Sequence, residues 1–348
     1  MIRPMIRPMI RPMIRPMIRP MIRPMIRPMI CRLTMRALLP AARCCVLLGL
    51  TMHLVGDGVA ADPAEKPRPV APVTFGEVKL LAAGFQQADT PAVLPRFAGR
   101  DEPAVLFADN KQKLLFRYPL AAVGAAPELV SKEAGRGRIG PDGRTFYGLH
   151  GGRLAAWDLV AKDAKPVILC EKAANDRDFS INDLVVSSQG VVYFTTLKDP
   201  EKGRLSAFDP RTGKVTAFFE GDQEENLHNP NGIALDPAER FLYVGISSYK
   251  NPGRAGVYRF PIRPDGSIDV EQGKSAAWLR VKADGIAVRN TGDVFLTTEG
   301  KVACFDADGR SRGHVAVPKG TGTNLCLGPD QTTLYFTTWD ALYAVQVE

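Results

Sequence analysis

The stretch 228-HNPNGIALDPAERFLYVGIS-247 decides the fold. Asn231-Gly232 reads as a turn signal, Ile233 to Leu235 as a short apolar run, Asp236 to Arg240 as a polar turn, and Phe241 to Ile246 as a strand. Each part recurs along the chain. Strand-like pairs of large apolar residues stand at Leu106-Phe107, Phe146-Tyr147, Tyr193-Phe194, Leu242-Tyr243, Val294-Phe295 and Leu334-Tyr335, roughly 40 to 52 residues apart. That is the period of four-stranded propeller blades. The six units predict an all-β, six-bladed β-propeller over residues 73–348.

The turns before these pairs include Pro141-Asp142-Gly143, Ser188-Gln189-Gly190, Asn290-Thr291-Gly292 and Pro329-Asp330-Gln331. A further strand is expected after each pair: Lys113 to Pro119, Gly152 to Leu159, Gly203 to Asp209, Ala255 to Pro261, Lys301 to Asp306 and Ala341 to Val347. A strand from about Val73 to Leu81 is expected to complete the last blade and tie the termini together. Long amphipathic helical patterns are missing, as are a Gly-x-Ser-x-Gly nucleophile elbow and a phosphate-binding Gly loop. A helix-rich hydrolase is thereby disfavoured.

Outside the propeller, residues 1–34 hold Met-Ile-Arg-Pro written seven times. A proline at every fourth position forbids both helix and central strand, so this segment reads as low-complexity sequence with no part in a fold. From Met35 the chain reads as an export signal over 35–61: Arg36 and Arg43 precede an apolar Cys44 to Val55, and Val59-Ala60-Ala61 offers small residues before a cut ahead of Asp62. The apolar run is short for a membrane span. Residues 62–72 form a Pro-rich flexible lead-in. The expected location is therefore periplasmic or secreted.

The leader also accounts for the charge. The whole chain is +8, but residues 1–61 carry ten arginines against the single acid Asp57, leaving about −1 for the remainder. No basic field argues for nucleic acid, and none for a membrane surface. Of six cysteines, Cys170, Cys304 and Cys326 follow the leader. They have no metal spacing, and each sits by an apolar run as a small buried residue would. A Cys304–Cys326 bridge is the alternative.

In a propeller the innermost strands line a central channel, and residues at their starts cluster at one end of the ring. Those starts read Asp89, Asn182-Asp183, Asn231-Gly232, Asp284-Gly285 and Asn324. All the side chains are carboxylates or carboxamides, the hard oxygen donors suited to a divalent ion. Singly, each pair is also a common turn former. Recurrence at one offset in successive units points instead to a shared centre, with Asn231 facing Asp284 across the channel.

Phe179-Ser-Ile-Asn-Asp-Leu-Val-Val with Gly190-Val-Val-Tyr-Phe-Thr-Thr, Pro230-Asn-Gly-Ile-Ala-Leu, Ala283-Asp-Gly-Ile-Ala-Val, and Gly322-Thr-Asn-Leu with Thr333-Leu-Tyr-Phe-Thr-Thr together resemble the gluconolactonase and senescence-marker-protein (regucalcin-like) family, over roughly Phe75 to Glu348. The resemblance implies a six-bladed propeller with one divalent metal in the channel, calcium first and magnesium, manganese or zinc after it, opening a sugar lactone or related ester. It implies metal ligands at Asn231 and Asp284, with Asn182 at or beside the ion. The family's first-blade pattern Glu-Gly-Pro-Ala-Val stands here as Asp89-Thr-Pro-Ala-Val. Asp89 is the better match, while Glu102-Pro-Ala-Val is a second candidate set close to Leu106-Phe107. On this reading Asp284 and Asn182 are catalytic, and His228, Asn324 and Asp183 contact substrate. His150 is another candidate proton carrier, and Trp157 and Trp278 pack in the core. The rival reading is a non-catalytic propeller that binds a carbohydrate or a partner around a structural ion.

Overall fold

The computed structural model describes residues 69–95, 97, 102–121, 124–161, 165–173, 180–196, 203–220, 227–247 and 252–348. The repeat over 1–34, the export signal over 35–61, residues 62–68 of the lead-in, and Phe179 lie outside them. The described chain is almost entirely antiparallel sheet. A short strand β1 (Lys79–Ala83) is followed by blade 1, made of β2 (Ala88–Leu94), β3 (Ala104–Asp109), β4 (Leu114–Pro119) and β5 (Glu128–Ser131). Blade 2 holds β6 (Ala134–Ile139), β7 (Thr145–His150), β8 (Arg153–Asp158) and β9 (Val167–Cys170). Blade 3 holds β10 (Ile181–Val186), β11 (Val192–Thr196), β12 (Arg204–Asp209) and β13 (Lys214–Glu220).

Blade 4 has three strands, β14 (Pro230–Leu235), β15 (Phe241–Ile246) and β16 (Gly256–Pro261). Its outer edge is covered by Leu279, which exchanges backbone hydrogen bonds with Val257, and by α1 (Val270–Lys274), whose N-terminus is capped by the Asp269 carboxylate. Blade 5 holds β17 (Ile286–Val288), β18 (Val294–Thr298), β19 (Lys301–Phe305) and β20 (Ser311–Ala316). Blade 6 contains β21 (Gly322–Leu327), β22 (Thr333–Thr338) and β23 (Ala341–Gln346), and β1 closes it by pairing antiparallel with β23. The expected closing strand is thus present. It begins at Lys79, while Phe75 forms an isolated bridge to Val347.

The doubled apolar pairs of the sequence fall on the second strand of every blade. Alternate residues of a strand face opposite sides, and a middle strand is covered on both. On β15, Leu242, Val244 and Ile246 pack with Tyr193 and Leu205 of blade 3, while Tyr243 packs with Ile286, Val294 and Leu296 of blade 5. The same pattern fills each space between neighbouring blades, including that between blades 6 and 1, where Tyr335 and Leu342 meet Val105, Phe107 and Tyr118. Each blade therefore depends on its neighbours for burial, and strand pairing in blade 6 closes the ring.

Trp157 is buried against Phe146, and Trp278 stacks edge-on with Tyr243, both in packing roles. The Cys304–Cys326 bridge is not formed: Cys170, Cys304 and Cys326 are free thiols. Among the described residues no helix is long and apolar enough to cross a membrane.

Candidate functional site

The inner strands β2, β6, β10, β14, β17 and β21 start at the same end of the ring. Most of these starts are irregular. Pairing to the second strand slips between Asp89 and Ala92, Ala134 and Gly137, Ile181 and Asp183, Pro230 and Ile233, and Gly322 and Asn324. Such a bulge leaves a residue unpaired and re-aims its side chain. Here it turns the polar residue toward the channel while the rest of the strand keeps its ladder.

Second-strand threonines brace these irregular starts from behind. The fully buried Thr195 hydroxyl donates to the Asn231 carbonyl at 2.5 Å, and the Thr297 hydroxyl accepts from the Gly285 amide at 2.7 Å. Thr337 hydrogen-bonds Thr323, whose hydroxyl oxygen is also 2.7 Å from the carbonyl of Ala88 in blade 1. The glycines serve the same end. A Cβ on Gly232 would stand 1.8 Å from the Asp284 carbonyl oxygen, and one on Gly285 would stand 2.5 Å from the Asn324 Cα. Asn231-Gly232 is therefore no turn. It lies inside β14, and glycine is needed because the next blade's backbone crowds that spot.

The result is a continuous polar chain across five blades. Asp89 accepts from the Thr90 amide at 2.7 Å and from Asn110 Nδ2 at 3.0 Å, and pairs with Arg136 Nη2 at 3.0 Å. Arg136 Nη1 donates to Asn182 Oδ1, Asn182 Nδ2 donates to Asn231 Oδ1, and Asn231 hydrogen-bonds Asp284. Burial first, and the negative charge of Asp89 second, push the Asp284 carboxyl well above the ordinary carboxylate range, while Arg136 pulls the other way. Asp284 keeps partial solvent contact through the channel although it is set deep in the ring. Asn231 on β14 and Asp284 just before β17 come from neighbouring blades, not from opposite walls as expected.

Beneath this chain lies a floor. Arg138 donates to both Asp183 oxygens (3.2 and 3.3 Å), to Asn324 Oδ1 at 2.7 Å and to the Pro91 carbonyl at 2.6 Å. Asn324 Nδ2 in turn donates to Asp183 Oδ2 at 3.0 Å. Asp183 is 1% exposed and Asn324 2%. Both were expected to contact substrate. In the structure their side-chain oxygens accept from Arg138, and the Asn324 amide nitrogen donates to Asp183, the pairing a buried charge demands. Below the floor the channel reopens at the far end into a cavity of about 340 Å³ lined by Ile139, Val185, Leu235, Val288 and Leu327.

Other expected residues fall outside the chain. Glu102 lies beside Arg117 (3.6 Å) at the approach to β3, so Asp89 is the first-blade acid that reaches the centre. His228 precedes β14, half-buried, with Nδ1 unpartnered. His150, paired with Ala134 at the start of β6, is 3.5 Å from Glu133 and edge-on to Trp157. Arg136 and Arg138 carry no carboxylate or carboxamide signal of the kind that marks the other inner-strand starts. Their signal is the alternation Arg136-Gly137-Arg138 at the start of an inner strand, which sets both on one face.

Among the described residues no group of three or more His, Cys, Asp or Glu side chains is placed to hold a metal ion. A site here must draw on carboxamide oxygens, and the chain supplies two such groups, Asn182 and Asn231, beside Asp89 and Asp284. This donor set fits a hard divalent ion such as calcium or magnesium. The charge fits too: two carboxylates face one guanidinium, and a cation would relieve the repulsion that lifts the Asp284 carboxyl.

Fold and site together define a six-bladed propeller whose channel ends in a carboxylate–carboxamide cluster. Residues 97–340 match the SMP-30/Gluconolactonase/LRE-like region, and the chain belongs to that family. Over 219 residues it is 28% identical to the gluconolactonase of Zymomonas mobilis, an alignment covering 57% of this chain and 58% of that relative, which is less than two thirds of the relative's length. The gluconolactonase from Xanthomonas campestris superposes with a TM-score of 0.62 at 20% identity, covering 80% of this chain and 96% of that one. A calcium-binding protein, regucalcin, from Agrobacterium tumefaciens superposes with a TM-score of 0.57 at 16% identity, covering 78% and 93%. Both likenesses speak to fold.

Proposed function

We propose that this chain is a hydrolase that opens a sugar lactone or a related ester at the channel mouth, with one divalent ion held by Asp284, Asn231, Asn182 and Asp89. The observation that carries the reading is the hydrogen-bonded chain that gathers Asp89, Asn182, Asn231 and Asp284 from four blades at one end of the channel, with a carboxylate, Asp284, at its end to serve as proton acceptor. A bound divalent ion supplies charge that polarises a carbonyl and acidifies water.

Asp284 accepts a proton as water adds to the lactone carbonyl carbon, and returns it to the ring oxygen that departs as a hydroxyl. One water enters, one C–O bond breaks, and a hydroxy acid leaves. Asn182 and Asn231 hold Asp284 and the incoming groups in register, and the Arg138–Asp183–Asn324 floor keeps substrate from passing down the channel. The gluconolactonase relative supports a lactone substrate. A second reading, a non-catalytic propeller that binds a carbohydrate or a partner, is favoured by Asp89, whose oxygens are already engaged by Thr90, Asn110 and Arg136. Export through the segment at 35–61 belongs to the same proposal.

The test is a panel of aldonolactones assayed with and without chelator on protein beginning at Asp62 and on its Asp284→Ala variant. Chelator-sensitive opening that the variant lacks supports the hydrolase. Opening that survives both treatments overturns the metal-assisted route, and an ion-binding protein that opens nothing favours the binding propeller.

A further inference from the structure

Blade 2 is the place in the ring where the inner strand brings cations to the channel. Arg136 and Arg138 alternate with glycines on β6, and they are bound very differently. Every guanidinium nitrogen of Arg138 has an acceptor: Nε and Nη2 on Asp183, Nη2 also on Asn324, and Nη1 on the carbonyls of Pro91 and Leu325. It is a finished structural ion pair: burial works to lower its pKa, but the negative charge of Asp183 together with its hydrogen bond outweighs this and holds the guanidinium above the ordinary arginine range.

Arg136 is not finished in that way. Its Nη2 lies 3.0 Å from Asp89 Oδ2 and its Nη1 donates to Asn182 Oδ1, but its Nε is buried with no partner. A buried donor left unmade costs about 1–3 kcal/mol, so the guanidinium rests in an imperfect seat. That seat is made of the Asp89 and Asn182 oxygens that the proposed function gives to a divalent ion.

We propose that Arg136 is the site's built-in cation and that it competes with a divalent ion for the Asp89 and Asn182 oxygens, thereby setting the ion affinity of the channel. The proposal rests on the ion-binding part of the functional reading above. The guanidinium neutralises Asp89 while the ion is away. Ion binding requires the fork to leave, at the loss of one charge-assisted pair and one hydrogen bond to Asn182. Competition also explains how a shortened first-blade acid is kept in place, since Asp89 is held from three sides by Thr90, Asn110 and Arg136. Arginine suits this role because its planar fork spans two acceptors at once, which a lysine ammonium does not do.

The experiment is calorimetric titration of calcium chloride into three purified proteins beginning at Asp62: wild type, Arg136→Gln and Asp284→Asn, each first checked for a cooperative thermal transition. Arg136→Gln is expected to bind calcium at least about tenfold more tightly than wild type, and Asp284→Asn to lose the site. Equal or weaker binding by Arg136→Gln overturns the proposal, because the guanidinium is then a bystander or a support for the ion. If that variant folds poorly, Arg136→Lys carries the test. It keeps the charge but loses the fork, and is expected to tighten calcium by a smaller factor, whereas unchanged or weaker binding overturns the competition.

The lactone assay separates the two claims. Tighter calcium in Arg136→Gln with no lactone opening by wild type leaves this inference standing and removes the hydrolase. Chelator-sensitive opening with unchanged calcium affinity in Arg136→Gln does the reverse.

Discussion

Gly232→Ala tests how the site is assembled. The new Cβ would stand 1.8 Å from the Asp284 carbonyl oxygen and 2.8 Å from its carbon, against backbone and not against a side chain that can swing aside. Comfortable carbon–oxygen contact needs a little over 3 Å, so β14 and β17 must part by about 1 Å or more, and close-packed interiors resist such a shift. Overpacking typically costs about 1–3 kcal/mol, and backbone pressed on backbone belongs at the upper end. We expect a loss of about 3 kcal/mol in urea unfolding with an unchanged slope, because the ring still closes through blade 6. The same displacement separates Asn231 from Asp284, so calcium affinity should fall even in the folded fraction. A stability change below about 0.5 kcal/mol, with calcium binding intact, would refute the close-approach reasoning.

Four further outcomes follow from named contacts. Asp183→Ala strands the Arg138 guanidinium in the channel and should cost about 3–5 kcal/mol by urea unfolding; a loss under 1 kcal/mol would mean the floor is solvated. Thr195→Val removes the hydroxyl that donates to the Asn231 carbonyl and should cost about 1–2 kcal/mol, with a measurable drop in calcium affinity. Asp284→Ala should abolish chelator-sensitive lactone opening while leaving the thermal transition within a few degrees of wild type. Burial pushes the Cys304 and Cys326 thiols up to about 12, so at pH 8 their thiolate fraction is only about 10⁻⁴. Cys304, fully buried, should resist a thiol reagent until the protein is unfolded, and its rapid labelling in the native state would contradict that burial, while the half-buried Cys326 should be slowed only by its small thiolate fraction.

How much of this was legible in the sequence depended on what each signal physically encodes. The blade count was readable because second strands such as β15 are buried on both faces, which forces adjacent large apolar residues like Leu242-Tyr243 that few other architectures repeat at this spacing. Ring closure was readable for a similar reason, though its strand begins at Lys79 and not at Val73. The carboxylate and carboxamide positions were readable because they recur at one offset. What they touch was not, since bulges decide which side chains turn inward and bulges leave no compositional mark at Asp89 or Asn182. Asp183 and Asn324 looked like partners of a substrate, yet the arginine that claims them comes from a blade whose inner strand lacks the Asn and Asp pattern. Asn231-Gly232 carries a turn signature, but its glycine answers a contact with Asp284, about fifty residues away in sequence, that local reading has no means to see.

The most direct test of the central claim is a crystal structure of protein soaked in a manganese salt, with the ion located by its anomalous scattering. One peak is expected at the channel mouth, bonded to the side-chain oxygens of Asp284 and Asn231, with the Arg136 guanidinium withdrawn from Asp89. A peak elsewhere in the ring, or none in a protein that still opens lactones, would contradict the claim.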